Sequence, residues 1–180
     1  MENYKKIYDA VCALEKIERT GWQQTKVPDP RLESVSDHTM QLQMLALTFN
    51  YEKGLGFDPG KLLEMCLIHD IGEAKVGDVS DVDEDYAERK KDEKAKTIEF
   101  LKSLPDSLSS YLELWEEEEA KETPLAKFVY QVDKFDAVLK AKMYSEKYNM
   151  PEVFEEFYNY ELNRGTFAEG PLKEEFANLR

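Results

Sequence analysis

The stretch Asp58-Pro-Gly-Lys-Leu-Leu-Glu-Met-Cys-Leu-Ile-His-Asp70 decides the fold. Its first two residues pair a side chain able to cap a helix with a proline whose fixed φ suits the first helical position. From Leu62 to Ile68 every residue except Glu64 is apolar, so the helix predicted there is buried on most sides. Two rows at helical spacing run along it, Leu62-Cys66 into His69 and Leu63-Leu67 into Asp70. A histidine and an aspartate therefore project from the end of a buried element, and Gly72 and Gly77 break the pattern just beyond.

The same period recurs on both sides, and no run of alternating β-branched residues interrupts it. Tyr4, Ile7, Val11, Leu14 and Ile17 mark a first helix. Ser34 with Asp37 three residues on forms a capping-box pattern. The stripe that follows, Leu42, Leu45 and Phe49, extends backwards by four to His38, in the first turn. A charged amphipathic segment runs from about Asp83 to Leu104, Pro105 ends it, and a shorter helix with Tyr111, Leu114 and Trp115 follows. The Glu116 to Glu119 run reads as a solvated face. Pro124 opens a helix whose stripe is Leu125, Phe128, Val132, Phe135 and Leu139, with Asp133 and Asp136 beside it. Pro151 starts an aromatic-rich helix, Val153 to Tyr160, and Gly165 and Gly170 loosen a tail where disorder is expected. The fold class is all-α, a single-domain helical bundle.

With 180 residues, 42% hydrophobic and 34% charged, the chain is long enough to bury one core without disulfides. A formal net charge of -14 argues against polymeric nucleic acid and anionic membranes, which are met with basic surfaces. A small anionic substrate stays compatible, because a bound cation and a few basic side chains reverse the potential locally. Cys12 and Cys66 have no paired spacing and read as reduced thiols. Residues 1–10 carry charges throughout, unlike a signal peptide, and the uncharged stretch Thr39 to Tyr51 is too short for the ~20 residues of a membrane span. These features place the chain in the cytoplasm.

Both of the chain's two histidines stand where an apolar stripe would otherwise continue. Alone, each is most simply a satisfied core histidine. The neighbouring Asp70 changes that reading, because a buried ionised carboxylate is costly unless paired or bound to metal, and Asp133 raises the same question. One divalent transition ion bound by His38, His69, Asp70 and Asp133 answers all four residues at once. The helix N-terminus near His38 favours its neutral, metal-binding form. Glu73, one helical turn past His69 if the helix persists, is placed to deprotonate a water, with Arg19 or Lys26 neutralising developing charge. A surface salt bridge to Lys75 is the plain alternative for Glu73, packing for Trp22 and a turn cap for Asp78.

The order H…HD…D resembles that of the HD-domain phosphohydrolases. The resemblance extends to Arg19-Thr-Gly-Trp22, Glu33-Ser-Val-Ser-Asp-His38, His69-Asp-Ile-Gly-Glu73, Val76-Gly-Asp78 and Ala126-Lys-Phe-Val-Tyr-Gln-Val-Asp133, which look like the small 5′-deoxynucleotidase branch. It covers roughly Arg19 to Tyr158 of one domain spanning 1–180, with residues 165–180 as C-terminal helix and tail. It implies an all-α homodimer that hydrolyses deoxynucleoside 5′-monophosphates with one divalent ion per chain, such as cobalt, manganese, zinc, iron, nickel or magnesium. Carried over by motif, His38, His69, Asp70 and Asp133 are the metal ligands, Glu73 and Asp78 lie near the attacking water, and Arg19 and Trp22 face the substrate. One departure is that Thr20-Gly21 separate Arg19 from Trp22, which bacterial members often have adjacent, and Val27 to Arg31 looks lengthened. The aromatic concentration at Phe154, Phe157, Tyr158 and Tyr160 exceeds what one short helix needs for its core face and agrees with a dimer.

Other members of the superfamily, di-iron oxygenases and cyclic-dinucleotide phosphodiesterases, need histidines beyond His38 and His69. A hydrolase of the alarmone ppGpp is a nearer alternative, but the Glu-Asp pair typical after its HD motif is Glu73-Ala74 here. From another class comes an acidic helical adaptor whose HD site is only structural. Metal content separates these: the adaptor is indifferent to chelator and the hydrolase is not.

Overall fold

The computed structural model describes residues 2–80 and 85–180. The helices are α1 (Glu2–Leu14), α2 (Thr20–Gln24), α3 (Val35–Glu52), α4 (Pro59–Ile68), α5 (Glu73–Val76), α6 (Tyr86–Lys102), α7 (Ser110–Ala120), α8 (Pro124–Tyr148), α9 (Pro151–Arg164) and α10 (Lys173–Ala177). Among the described residues the only β pairing is an isolated bridge between Glu18 and Ser34. The expected start of α6 at Asp83 lies outside the described residues.

Local chemistry sets the helix starts as the sequence implies. The Ser34 hydroxyl accepts from the Asp37 N–H while the Asp37 carboxylate accepts from the Ser34 N–H, closing the capping box of α3. Asp58 caps α4 through the Lys61 N–H, and Thr123 caps α8 through the Ala126 N–H, each with proline next. Helices α3, α4, α7 and α8 pack on one another, and α9 lies along α8. Their common core holds Leu42, Leu62, Met65, Phe128, Val132 and Phe135.

Three burial expectations change. Leu67 is 44% exposed and Leu63 only half-buried, so α4 buries the row Leu62-Met65-Cys66-His69 and leaves the row leading to Asp70 near the surface. Tyr4 is likewise exposed, on an α1 that packs mainly on α5 and α3. The tail is ordered against the core: Phe167, Leu172, Phe176 and Leu179 are buried, and the Gln131 amide donates to the carbonyls of Thr166 and Glu169.

Gly72 holds the turn after α4 against α6. A Cβ there would sit 1.7 Å from Thr97 Oγ1 and 3.2 Å from the Glu93 carbonyl, too close for any side chain. Gly72→Ala is therefore expected to lower stability by about 1–3 kcal/mol through overpacking. Thr97→Ala in the same chain should recover part of that loss in chemical denaturation, and full additivity of the two changes would show that the contact is not the cause.

Candidate metal centre and its cavity

Three helices bring the chemistry-bearing residues together. His38 comes from the first turn of α3, His69 and Asp70 from the end of α4, and Asp133 from the middle of α8. Each imidazole is oriented by its Nδ1. That of His69 donates to the Cys66 carbonyl at 2.8 Å, and that of His38 meets Asp136 Oδ2 at 2.7 Å. Both Nε2 atoms consequently point at the same space and stand 3.3 Å apart.

Carboxylates complete the cluster. Asp133 Oδ1 is 3.2 Å from His38 Nε2, and Asp70 Oδ2 is 3.0 Å from His69 Nε2 and 3.8 Å from His38 Nε2. One atom from each of His38, His69 and Asp133 fits within a 4.8 Å span. Metal–ligand bonds of about 2.0–2.2 Å place neighbouring donors roughly 3–3.6 Å apart, the spacing seen for His38 with His69, His38 with Asp133 and His69 with Asp70. With both Nδ1 atoms engaged, two neutral imidazoles would aim lone pairs at each other, an arrangement only a proton or a cation between them relieves. The donor set fits a divalent ion.

The electrostatics agree. Burial and Arg19 press the His38 imidazole towards neutrality, but hydrogen bonds with Asp133 and Asp136 outweigh them and raise it to about 10. Its carboxylate neighbours thus act on His38 against the helix N-terminus. Burial lowers His69 too, and Asp70 more than offsets it. Burial would raise Asp133 and Asp70, yet Lys134 with His38 holds the first well below the usual carboxylate range, and His69 with Arg19 lowers the second. The carboxylates that keep protons on the imidazoles would hold a metal ion in their place.

Around the cluster lies a cavity of about 590 Å³. Arg19 lines it, its Nη1 donating to Asp78 Oδ1 at 3.1 Å and Asp70 Oδ2 at 3.3 Å. Asp78 gives its other oxygen to the Thr20 N–H at 2.7 Å, capping α2 and fixing Arg19 beside Asp70. It caps α2 rather than the turn after it.

Glu73 reaches the cavity by an unexpected path. Helix α4 stops at Ile68, and tight turns closed by the N–H groups of Ile71 and Glu73 carry the chain into α5. Burial, then Asp70 and Asp78, push its carboxyl well above the usual range. Oε1 accepts from the Val79 N–H, while Oε2 is buried without a hydrogen-bond partner. A surface pair with Lys75 does not describe this residue.

Trp22 is placed differently from the expectation that it faces the substrate. Its ring touches the cavity wall but is 2% exposed, stacked on Phe157 at 4.6 Å and edge-on to Tyr144. Its indole N–H is committed to Glu33 Oε2 at 2.8 Å. Lys26 is exposed and outside the cavity wall, and Lys134 and Lys90 stand there instead. The Lys134 ammonium binds Asp133 Oδ2 at 2.9 Å, leaving Oδ1 for the metal position. Glu118 and Glu119, expected in a solvated face, line the cavity, and Glu119 pairs with Lys90 and Lys94. The sequence placed Asp136 beside a stripe without giving it a role; its position three residues after Asp133 was the available signal.

A metal-centred helical protein with this ligand order has known relatives. Residues 11–169 match the HD domain family, and the chain belongs to it. Within it, the chain is 31% identical to the 5′-deoxynucleotidase HDDC2 of Danio rerio over 88% of this chain and 78% of that protein. The 5′-deoxynucleotidase HDDC2 of Xenopus laevis is 34% identical over 83% of this chain and 73% of its own length. A crystal structure of a Pyrococcus horikoshii protein shares the fold, with a TM-score of 0.76 over 98% of this chain and 99% of that one at 24% identity.

Because Asp136 orients His38, Asp136→Asn should weaken divalent-ion binding about ten- to hundredfold, as outer partners of ligating histidines typically do. Calorimetric titration with manganese or cobalt measures it, and an unchanged affinity would remove Asp136 from the centre.

Proposed function

We propose that the chain is a divalent-metal-dependent phosphomonoesterase that hydrolyses deoxynucleoside 5′-monophosphates to nucleoside and phosphate. The observation that carries the reading is the convergence of two imidazole nitrogens and the Asp133 carboxylate at one edge of a cavity of about 590 Å³, with the Asp70 carboxylate 3.0 Å from His69 Nε2. The likeness to 5′-deoxynucleotidases supports the substrate class.

In this reading His38, His69, Asp70 and Asp133 hold one ion, with cobalt and manganese the first to try. When bound, a divalent ion supplies Lewis-acid polarisation of a phosphoryl oxygen and lowers the pKa of water. Glu73 takes a proton from the attacking water with its unpartnered Oε2, a buried carboxylate being a stronger base than a solvated one. Arg19 neutralises phosphoryl charge from a position that Asp78 fixes, which makes Asp78 a positioning residue. The water oxygen joins phosphorus, the bond to O5′ breaks, and the nucleoside leaves with a proton.

We further place this function in one HD domain over residues 1–180, in a cytoplasmic homodimer. The free thiols Cys12 and Cys66 suit a reducing compartment. Among the described residues no helix is long and apolar enough to cross a membrane. The aromatic reason for a dimer weakens, since Phe157 stacks on Trp22 and Tyr158 on Phe176. Exposed Met40, Met44 and Tyr51 along α3 are the better candidate face. Sedimentation at micromolar concentration decides this, and a strict monomer counts against it.

His38→Ala, Asp70→Ala and Asp133→Ala are each expected to lose the ion and all hydrolysis. Full metal occupancy in Asp133→Ala would reassign the fourth ligand. Glu73→Gln should keep the ion and lower kcat by roughly a hundredfold or more; unchanged turnover would exclude Glu73 as the base. The substrate class is tested by comparing kcat/KM for dAMP and AMP, where a ratio near one would defeat the deoxy reading. Trp22→Ala is a poor probe of sugar preference, because truncating so buried a ring should cost about 3–5 kcal/mol of stability.

A further inference from the structure

A metal ion and one phosphate occupy little of a cavity of about 590 Å³, a volume ordinary for an organic ligand. Lys90, Glu118, Lys121 and Lys134, from α6, the end of α7 and α8, line it together with the metal ligands. Helix α9 contributes Phe157, Tyr160 and Asn163 beside the charged Glu156, Glu161 and Arg164, and Gly21 of α2 adjoins Phe157.

These two helices make close contact: a Cβ on Gly21 would stand 3.0 Å from Phe157 Cζ. The Phe157 ring is in turn fixed by its stack on Trp22. One turn along α9, Tyr160 is 38% exposed. Arg164 is laid against it, with Cζ 5.2 Å from the ring centroid and Nη1 donating to the phenol oxygen at 3.1 Å. A partly exposed aromatic ring that its neighbour holds on a cavity wall can stack on a flat heterocycle. Asn163, exposed in the same wall, carries an amide that can both donate to and accept from a base edge.

We propose that α9 supplies the nucleoside subsite, with Tyr160 stacking on the base and Asn163 pairing with its edge. The proposal deepens the nucleotidase reading and rests on it. It makes Tyr160 and Asn163 specificity-determining residues that act on the end of the substrate away from phosphorus.

The test uses the metal-loaded chain and two measurements. The first is kcat/KM for dAMP relative to 2-deoxyribose 5-phosphate, which lacks the base. Tyr160→Ala should lower that ratio about tenfold, while Tyr160→Phe, which keeps the ring, should leave it near the wild-type value. Asn163→Ala should lower it differently for dAMP and dTMP, whose edges present different donors and acceptors. The second is calorimetric binding of 2′-deoxyadenosine, which has no phosphate and reports on the subsite without turnover. Tyr160→Ala should weaken it by a similar factor. Equal losses on the two phosphate esters, or nucleoside binding that is absent from the wild type or unaltered by Tyr160→Ala, would overturn the subsite. A chain that hydrolyses no phosphomonoester with any divalent ion would instead defeat the nucleotidase reading, and nucleoside binding would still decide the role of Tyr160.

Discussion

Two imidazole nitrogens 3.3 Å apart, neither able to turn away because its ring partner is committed, set the terms for the rest of the molecule. His69 is tied to the carbonyl of Cys66 in its own helix, and His38 to Asp136 across a helix interface. Such a pair is tolerable only with positive charge between the rings and negative charge around them. Asp70 and Asp133 supply the second, and no single helix could carry all four groups at this spacing. Hence α3, α4 and α8 pack together, and the core of Leu42, Leu62 and Val132 holds their ends and faces in register.

The surrounding charges solve a second problem. A chain with net charge -14 must admit an anion to a centre already rich in carboxylates. Of its 24 lysines and arginines, Arg19, Lys90, Lys121, Lys134 and Arg164 line this one cavity. With a divalent ion they offset most of the charge of the carboxylates that line the same cavity, and salt screens the distant acidic surface within about 10 Å. An acidic protein can therefore take a small phosphate ester while its outer surface repels long polyanions.

What the sequence made legible follows the range of the forces involved. Helix starts at Ser34, Asp58 and Thr123 rest on contacts within four residues, and all could be read in advance. The histidines, Asp70 and Asp133 were legible because a polar residue in an apolar stripe needs an explanation. Long-range pairings were not. Glu118 sits in an acidic run that looks solvated, and only the packing of α7 on α4 and α8 turns it inward. The tail looked loose from its glycines, yet it is held by Gln131 and buried aromatics contributed by distant segments. The aromatics of α9 invited a partner subunit, and Trp22 and Phe176 from the same chain take two of them.

The two residues between Arg19 and Trp22 also acquire a reason. Arg19 must point at Asp70 and Asp78, while Trp22 must reach Glu33, Tyr144 and Phe157. Adjacent residues on a helix diverge by only about 100°. Placing Arg19 at the N-cap and Trp22 one turn in separates the two tasks. Thr20 then offers its N–H to Asp78, and Gly21 is the residue small enough to let Phe157 approach. Each of the four residues Arg19-Thr-Gly-Trp22 thus has a tertiary partner, Asp78 for the first two and Phe157 for the last two, and together they couple the Arg19 guanidinium to the aromatic cluster of Trp22, Phe157 and Tyr144 through one turn of helix.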